Sequence, residues 1–166
     1  MRKLTEDLRI ALLSLPLAMI LVACQDTTPP VPHLGQGLMA GEATATSVIV
    51  QARLTMYPEL KQGHMPGQAG IGQFEIAGNP EFRNAFLSGQ LMALPGNDFI
   101  VKHRFSGLEP DTVYYYRLLL GTDKEPDRMS DTAIFRTLPG ADNSAEVSFV
   151  AVAGMNYYHH HFGKYE

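Results

Sequence analysis

The chain has 166 residues, with 13 lysines and arginines against 17 aspartates and glutamates, for a formal net charge of −4. An acidic chain without a basic stripe has nothing with which to meet a row of phosphates, so nucleic acid is not an expected partner. Cys24 is the only cysteine. The sequence therefore excludes an intrachain disulfide and any pair of thiolate metal ligands.

The N-terminus has the pattern of a secretory signal. Three basic residues lie within positions 1–9, and a mostly apolar run extends from Ile10 to Ala23. At about fourteen residues this run is too short for a bilayer core of roughly 30 Å. A basic start followed by a short apolar segment is instead typical of a segment that is removed during export.

The end of this run matches the bacterial lipobox, Leu21-Val22-Ala23-Cys24, in which the thiol receives a diacylglycerol before cleavage. We therefore predict a lipoprotein signal peptide at residues 1–23, lipidation at Cys24, and a lipidated tether over residues 24–35 that its prolines stiffen. The alternative is an ordinary signal peptide with a chance cysteine. An exported protein anchored to the cell envelope is expected. Gln25, in place of an aspartate, favours the outer membrane of a Gram-negative cell.

Residues 36–139 predict strands and turns, without helical periodicity. The predicted strands are a short one in GLMAGEA, Thr46–Thr55, Ile71–Ala77, Phe86–Leu94 as a strand or irregular edge, Asp98–Phe105, Val113–Leu120 and Thr132–Thr137. Tyr57–Gly70, rich in Pro and Gly, is predicted as a loop. Short strands at this spacing favour an all-β fold, a sandwich or barrel.

The segment from Gly107 to Tyr114, GLEPDTVY, makes the sandwich the better prediction. It resembles the corner of fibronectin type III/Ig-like antiparallel β-sandwiches. In that corner Leu108 would plug the core, Pro110 would turn the chain, and the Tyr114 hydroxyl would bond back to the backbone. The alternative is a generic turn before a tyrosine-rich strand.

The composition changes again after residue 139. Residues 140–146 are predicted as a linker, and the continuous apolar run from Val147 to Gly154 is typical of a strand buried on both faces. Because the sequence continues only to Glu166, we expect residues 147–166 to be the truncated start of a second domain, an α/β domain.

Four segments together resemble the opening of alkaline phosphatase D-type enzymes: GEATATSVIVQARLT, FSGLEPDTVYYYRLLLG, FRTLPG and VSFVAVAGMNYYHHHFGKY. The resemblance covers roughly residues 36–166. It implies a fibronectin-like domain that packs against a following metallophosphoesterase domain. It also implies hydrolysis of phosphate monoesters or diesters, outside the cytoplasm, at a centre containing calcium and iron or another divalent metal.

The resemblance also indicates what these residues lack. At the end of the last strand the family has Ser-Cys-Gln-Asn, whose cysteine binds iron, whereas this chain has Ala153-Gly154-Met155-Asn156. Gly154 has no side chain to donate. His159, His160 and His161 are weak metal candidates, because three consecutive residues cannot all point one way, and a polar loop is the alternative. We therefore expect no catalytic residue, metal or cofactor site within these residues.

Two functions remain open from the sequence. The first is the N-terminal portion of an exported, lipid-anchored, alkaline phosphatase D-like phosphoesterase, with the sandwich itself non-catalytic and the phosphoester bound only by the full-length parent. The second is a non-enzymatic cell-surface lipoprotein with a β-sandwich binding module. The apolar run Val147–Gly154 favours the first, because a complete binding module has no use for it.

Overall fold

A computed structural model describes residues 30–143 and residue 146. The predicted signal peptide, Cys24 and the segment 147–166 lie outside the described residues. The described part contains nine strands and one short 3-10 helix, at Pro95–Asn97. The strands are β1 (Leu38–Gly41), β2 (Ser47–Arg53), β3 (Gly70–Ala77), β4 (Phe86–Leu87), β5 (Leu91–Ala93), β6 (Ile100–Ser106), β7 (Val113–Gly121), β8 (Arg128–Met129) and β9 (Ala133–Arg136).

The strands form two antiparallel sheets. Sheet 1 has the order β1-β2-β6. Sheet 2 has β3 and β7 at its centre, with β4 and β5 paired to β3 and with β8 and β9 paired to β7. This arrangement confirms the predicted all-β, fibronectin-like sandwich. It places the long strand β7 at the middle of one outer face.

The core lies between the sheets and follows from strict alternation along the strands. In β2 the buried residues are Val48, Val50 and Ala52, as the sequence predicts. In β7 the buried side chains are at alternate positions from Tyr114 to Leu120. Burying each large apolar side chain contributes about 1.5–3 kcal/mol, so the inward rows of β2, β3, β6 and β7 supply most of the stabilisation.

The region predicted as Phe86–Leu94 forms two short strands with a break between them. The break is organised by Ser88, a buried residue whose hydroxyl accepts a hydrogen bond from the Phe74 amide at 2.9 Å and donates to the Gly89 carbonyl at 2.8 Å. Strand β8 was not predicted, because two residues are too few to show a period. It is fixed by pairing with β7, not by its own sequence.

The two ends of the sandwich differ in what they connect. At one end, which we call the tether pole, the N-terminal segment reaches the end of β2, where His33 pairs with Thr55. At the other end, which we call the linker pole, the Leu138 amide donates to the Thr44 carbonyl just before β2 begins, at 3.0 Å. The described chain therefore joins the fold and leaves it at opposite ends of β2.

Candidate functional surfaces of the sandwich

The corner at the linker pole has the contacts that its sequence suggests. The Glu109 amide donates to the Tyr114 hydroxyl at 2.9 Å, and Leu108 is almost fully buried. Thr137 adds a second tie, which the sequence did not reveal, because its hydroxyl donates to the Glu109 carbonyl at 2.7 Å and accepts from the Thr112 amide at 2.9 Å. These hydrogen bonds therefore hold the turn at Pro110, which is itself exposed, against the sheet.

The other sequence-predicted site residues are not in the described part. Cys24, Gly154 and the three histidines His159–His161 all lie outside it. Within residues 30–143 and 146, there is no group of three or more His, Cys, Asp or Glu side chains that could hold a metal. His103 is a half-buried strand residue, with its ring edge-on to Phe105 at 4.7 Å between centroids.

The outer face of sheet 2 exposes large apolar side chains along β7 and its neighbours. Ile134, opposite Tyr115, is 64% exposed, and Met129, opposite Leu119, is 57% exposed. Val113 at the start of β7 is also exposed. We call the outward-facing residues Val113, Tyr115, Leu119, Met129 and Ile134 the apolar face. Single exposed apolar residues are ordinary, whereas several on neighbouring strands are a candidate interaction surface.

An ion pair lies within the outer face of sheet 2, because Arg117 stands on β7 between Tyr115 and Leu119. Arg117 Nε donates to Glu75 Oε2 at 2.6 Å across the β3–β7 pair, and both side chains are largely shielded from solvent. The Arg117 guanidinium lies over the Phe82 ring at 3.8 Å. Phe82, whose φ is +55°, is buried because the loop after β3 folds back across the sheet. That loop covers the Arg117 side chain through Phe82, while Phe86 and Leu87 further along the chain stay exposed.

The outer face of sheet 1 is polar and charged by comparison. Its exposed charges include Lys102 and Arg104 of β6. Arg53 pairs with Asp98 at 3.0 Å and Arg104 with Glu42 at 3.1 Å. Both sheets therefore carry ion pairs, but sheet 2 exposes more large apolar side chains than sheet 1, where Met39 is exposed.

An open cleft of about 380 Å³ lies between the two sheets beside β1 and β8. Its walls include Pro32, Leu38 and Met129. Two of its polar groups have partners: Arg128 Nη1 donates to the Pro32 carbonyl at 3.4 Å, and the Ser130 hydroxyl accepts from the Leu118 amide at 2.9 Å. His33 and Asp131 also line the cleft, and in the described part no hydrogen bond joins the side chain of either one to Ser130. The cleft has neither a nucleophile beside a base nor a cluster of carboxylates, so its geometry does not indicate catalysis.

Burial raises the pKa of Tyr116, because the charged phenolate is disfavoured away from water. The side chain points into the core, where its ring meets Phe135 edge-on at 5.9 Å between centroids. Burial is the cause of this shift, which therefore reflects packing and not a catalytic site.

In the described part, no helix is long and apolar enough to cross a membrane.

Comparison with known proteins shows to which family this sandwich belongs. Residues 22–139 match the family model described as PhoD-like phosphatase, N-terminal domain. The chain is 32% identical over 130 residues to alkaline phosphatase D of Bacillus subtilis (strain 168), a match that covers 78% of this chain and 21% of that protein. A solved structure of PhoD superposes with a TM-score of 0.55 at 32% identity, over 68% of this chain and 20% of the other.

A fibronectin type III domain of human contactin 1 is a more distant structural neighbour. It is 14% identical, with a TM-score of 0.43, over 70% of this chain and 83% of that one. The chain spans about a fifth of the length of the two phosphatase relatives that it matches. On the match to residues 22–139, the chain belongs to the family of PhoD-like phosphatase N-terminal domains.

Proposed function

We propose that this chain is the non-catalytic N-terminal part of an exported, lipid-anchored phosphoesterase, and that the sandwich holds a hydrolase domain at the cell envelope. One observation supports this most: the residues that match the PhoD-like N-terminal family form a sandwich whose described part has no grouped metal-ligating side chains. The hydrolysis of phosphate esters, suggested by the name of the Bacillus relative, would then belong to residues beyond the sandwich.

The metals implied by the family do not fit the described residues. Calcium requires six to eight oxygen ligands in one place. The carboxylates of the sandwich are instead separate, and several are paired with arginines, as Glu75 is with Arg117 and Asp111 with Arg136. The proposal therefore places calcium, iron or any other catalytic metal outside residues 30–143, and gives the sandwich no step in the reaction.

We infer that the sandwich packs against the hydrolase domain through its apolar face. The apolar face exposes Ile134, Met129 and Val113, whereas sheet 1 exposes one large apolar side chain among the described residues, that of Met39. Interfaces between domains bury apolar side chains at their centre and leave charges at the rim. The chain also leaves the fold at Leu138, close to Val113 and the end of β9, so a following domain is tethered beside this face.

A chimera tests the packing. Residues 30–143 would replace the aligned N-terminal segment of the Bacillus subtilis enzyme, with Ile134→Cys as the probe position and Lys102→Cys, on sheet 1, as the control. We expect maleimide to label Ile134→Cys at least tenfold more slowly in the chimera than in the isolated sandwich, and Lys102→Cys equally in both. Equal labelling of Ile134→Cys in a folded, active chimera would show that the apolar face is not the interface.

A further inference from the structure

The N-terminal segment is attached to the tether pole by hydrogen bonds to one buried hydroxyl, that of Thr55. Thr55 is fully buried, and its Oγ1 accepts a hydrogen bond from the Gly35 amide at 2.9 Å. The same hydroxyl lies 3.1 Å from the His33 carbonyl and 2.8 Å from the Tyr57 carbonyl, to one of which it donates. A buried hydroxyl that accepts one hydrogen bond and donates another holds the segment 33–35 against residues 55–57.

Backbone contacts reinforce this attachment. The His33 amide donates to the Thr55 carbonyl at 2.8 Å, and the Thr55 amide donates back to the His33 carbonyl at 2.9 Å. Gly35 sits so close to the next loop that a Cβ there would lie 2.7 Å from the Tyr57 carbonyl oxygen. We call His33, Gly35 and Thr55 the N-terminal clamp. The chain is therefore held firmly from residue 33 onwards.

The clamp and the point where the chain leaves the fold are separated by the whole of β2. This strand has seven residues, which span roughly 23 Å at about 3.3 Å per residue. The clamp lies after its last residue, and the Leu138–Thr44 hydrogen bond lies before its first. The described N-terminal segment therefore joins the fold at the opposite end from the point where the chain leaves it after Leu138.

We propose that the tether pole is a lipid-facing surface, so that the sandwich stands between the membrane and the segment after Leu138. In the cell this rests on the proposed lipid at Cys24. The loop beside the clamp has a composition suited to a polar–apolar boundary: Leu60 is 45% exposed, and the Lys61 ammonium lies 4.3 Å from the centre of the Tyr57 ring. Amphipathic Lys and Tyr side chains of this kind are favoured at membrane interfaces.

The orientation can be measured without relying on natural lipidation. Residues 24–166 would be joined through the Cys24 thiol to a maleimide lipid in phosphatidylcholine vesicles that contain an acceptor dye. A donor dye would be placed by an azide-bearing amino acid at Glu59, on the tether pole, or at Asp142, beyond the linker pole; both positions are exposed. We expect energy transfer to the membrane from position 59 to exceed that from position 142 at least twofold.

A reversed attachment provides the control. With Cys24→Ser and Asp142→Cys, the lipid is attached beyond the linker pole, and transfer from position 59 should fall to the level of the distant label. Equal transfer from both positions in the Cys24-linked chain, or stronger transfer from position 142, would overturn the proposal. Because the lipid is added chemically, an absence of lipidation in bacteria would contradict the anchored function and leave this result intact.

Amide hydrogen exchange tests the N-terminal clamp by itself. Thr55→Val removes the hydroxyl at nearly constant volume, whereas Thr55→Ser keeps it. Amide hydrogen exchange at Gly35 should speed up at least tenfold in Thr55→Val and stay near the wild-type rate in Thr55→Ser. An unchanged Gly35 rate in a folded Thr55→Val chain would show that the hydroxyl does not hold the segment, and the fixed orientation would lose its basis.

Discussion

The hydroxyl of Tyr114 accepts a hydrogen bond from the backbone amide of Glu109 at 2.9 Å. This contact joins the middle of one turn to the long central strand of sheet 2. It also orients the turn so that Leu108 enters the core. This hydrogen bond satisfies two groups at once, because the buried Tyr114 hydroxyl requires a partner and the partly buried Glu109 amide requires an acceptor.

Tyr114→Phe should lower the free energy of unfolding by about 1–3 kcal/mol, because the Glu109 amide then has no acceptor in a partly buried turn. Tyr115→Phe is the matched control, since its side chain is on the outer face, and it should change stability by less than about 0.5 kcal/mol. Urea denaturation of both variants measures the difference. Equal stabilities for the two variants would show that the hydrogen bond is dispensable.

Leu108→Ala should cost about 2–5 kcal/mol, because the side chain is almost fully buried in the core and its loss leaves a cavity. Leu138→Ala, at an exposed position near the same pole, should cost much less. Thermal melting of the two variants compares them directly. A Leu108→Ala protein as stable as Leu138→Ala would be incompatible with a core-plugging role.

Much of the fold was predictable, because the strands in the core alternate. Val48, Val50 and Ala52 face the core as the pattern indicates, and the tyrosines of β7 alternate between core and surface. The clamp was not predictable, since Thr55 follows a strand and nothing in its neighbours shows that its hydroxyl is buried. The apolar face was not predictable either, because the strands that contain Ile134 and Met129 are too short to show which of their sides faces solvent.

The Arg117–Glu75 pair should be worth more than an exposed pair. Its side chains are 23% and 14% exposed, whereas those of Arg104 and Glu42 are 49% and 69% exposed. Double-mutant cycles with Arg→Met and Glu→Gln should give a coupling energy of about 1–2 kcal/mol for the first pair and less than about 0.5 kcal/mol for the second. A coupling no larger at Arg117–Glu75 would mean that shielding does not strengthen it.

Gly67 illustrates a close approach that demands glycine. A Cβ at this position would collide with the Phe99 ring, whereas a Cβ at Gly78 would meet nothing within 4 Å. Gly67→Ala should therefore destabilise the fold by about 1–3 kcal/mol, through the forced movement of the ring. Gly78→Ala should be nearly neutral in the same denaturant melts. Identical midpoints for the two alanine variants would contradict the packing at Phe99.

Stability should fall at high pH through Tyr116. Its pKa is raised in the folded state, so the folded chain holds this proton more tightly than the unfolded chain. The resulting stabilisation is fully present below the ordinary tyrosine pKa of about 10 and is lost as pH rises through the folded value. Tyr116→Phe should show a shallower loss of unfolding free energy above pH 10. The same slope in both proteins would assign the pH effect to other groups.

The proposed lipid anchor requires Cys24. When the full chain is expressed in a bacterium with labelled palmitate, we expect label on the wild type and none on Cys24→Ser, whose processing should stall or shift. Ala40→Ser, in β1, is a control that leaves the lipobox intact. Palmitate on the Cys24→Ser protein would rule out lipidation at this residue.

If these residues form a supporting domain and carry no catalysis of their own, an activity assay of the isolated chain should show it. Residues 25–166 and 25–143 would be incubated with p-nitrophenyl phosphate and bis-p-nitrophenyl phosphate, with calcium, iron, zinc or manganese added. We expect no turnover above the metal-only blank from either chain. Metal-dependent turnover by residues 25–166 that disappears when His159, His160 and His161 are changed to alanine would contradict the account, and would make the chain a small enzyme in its own right.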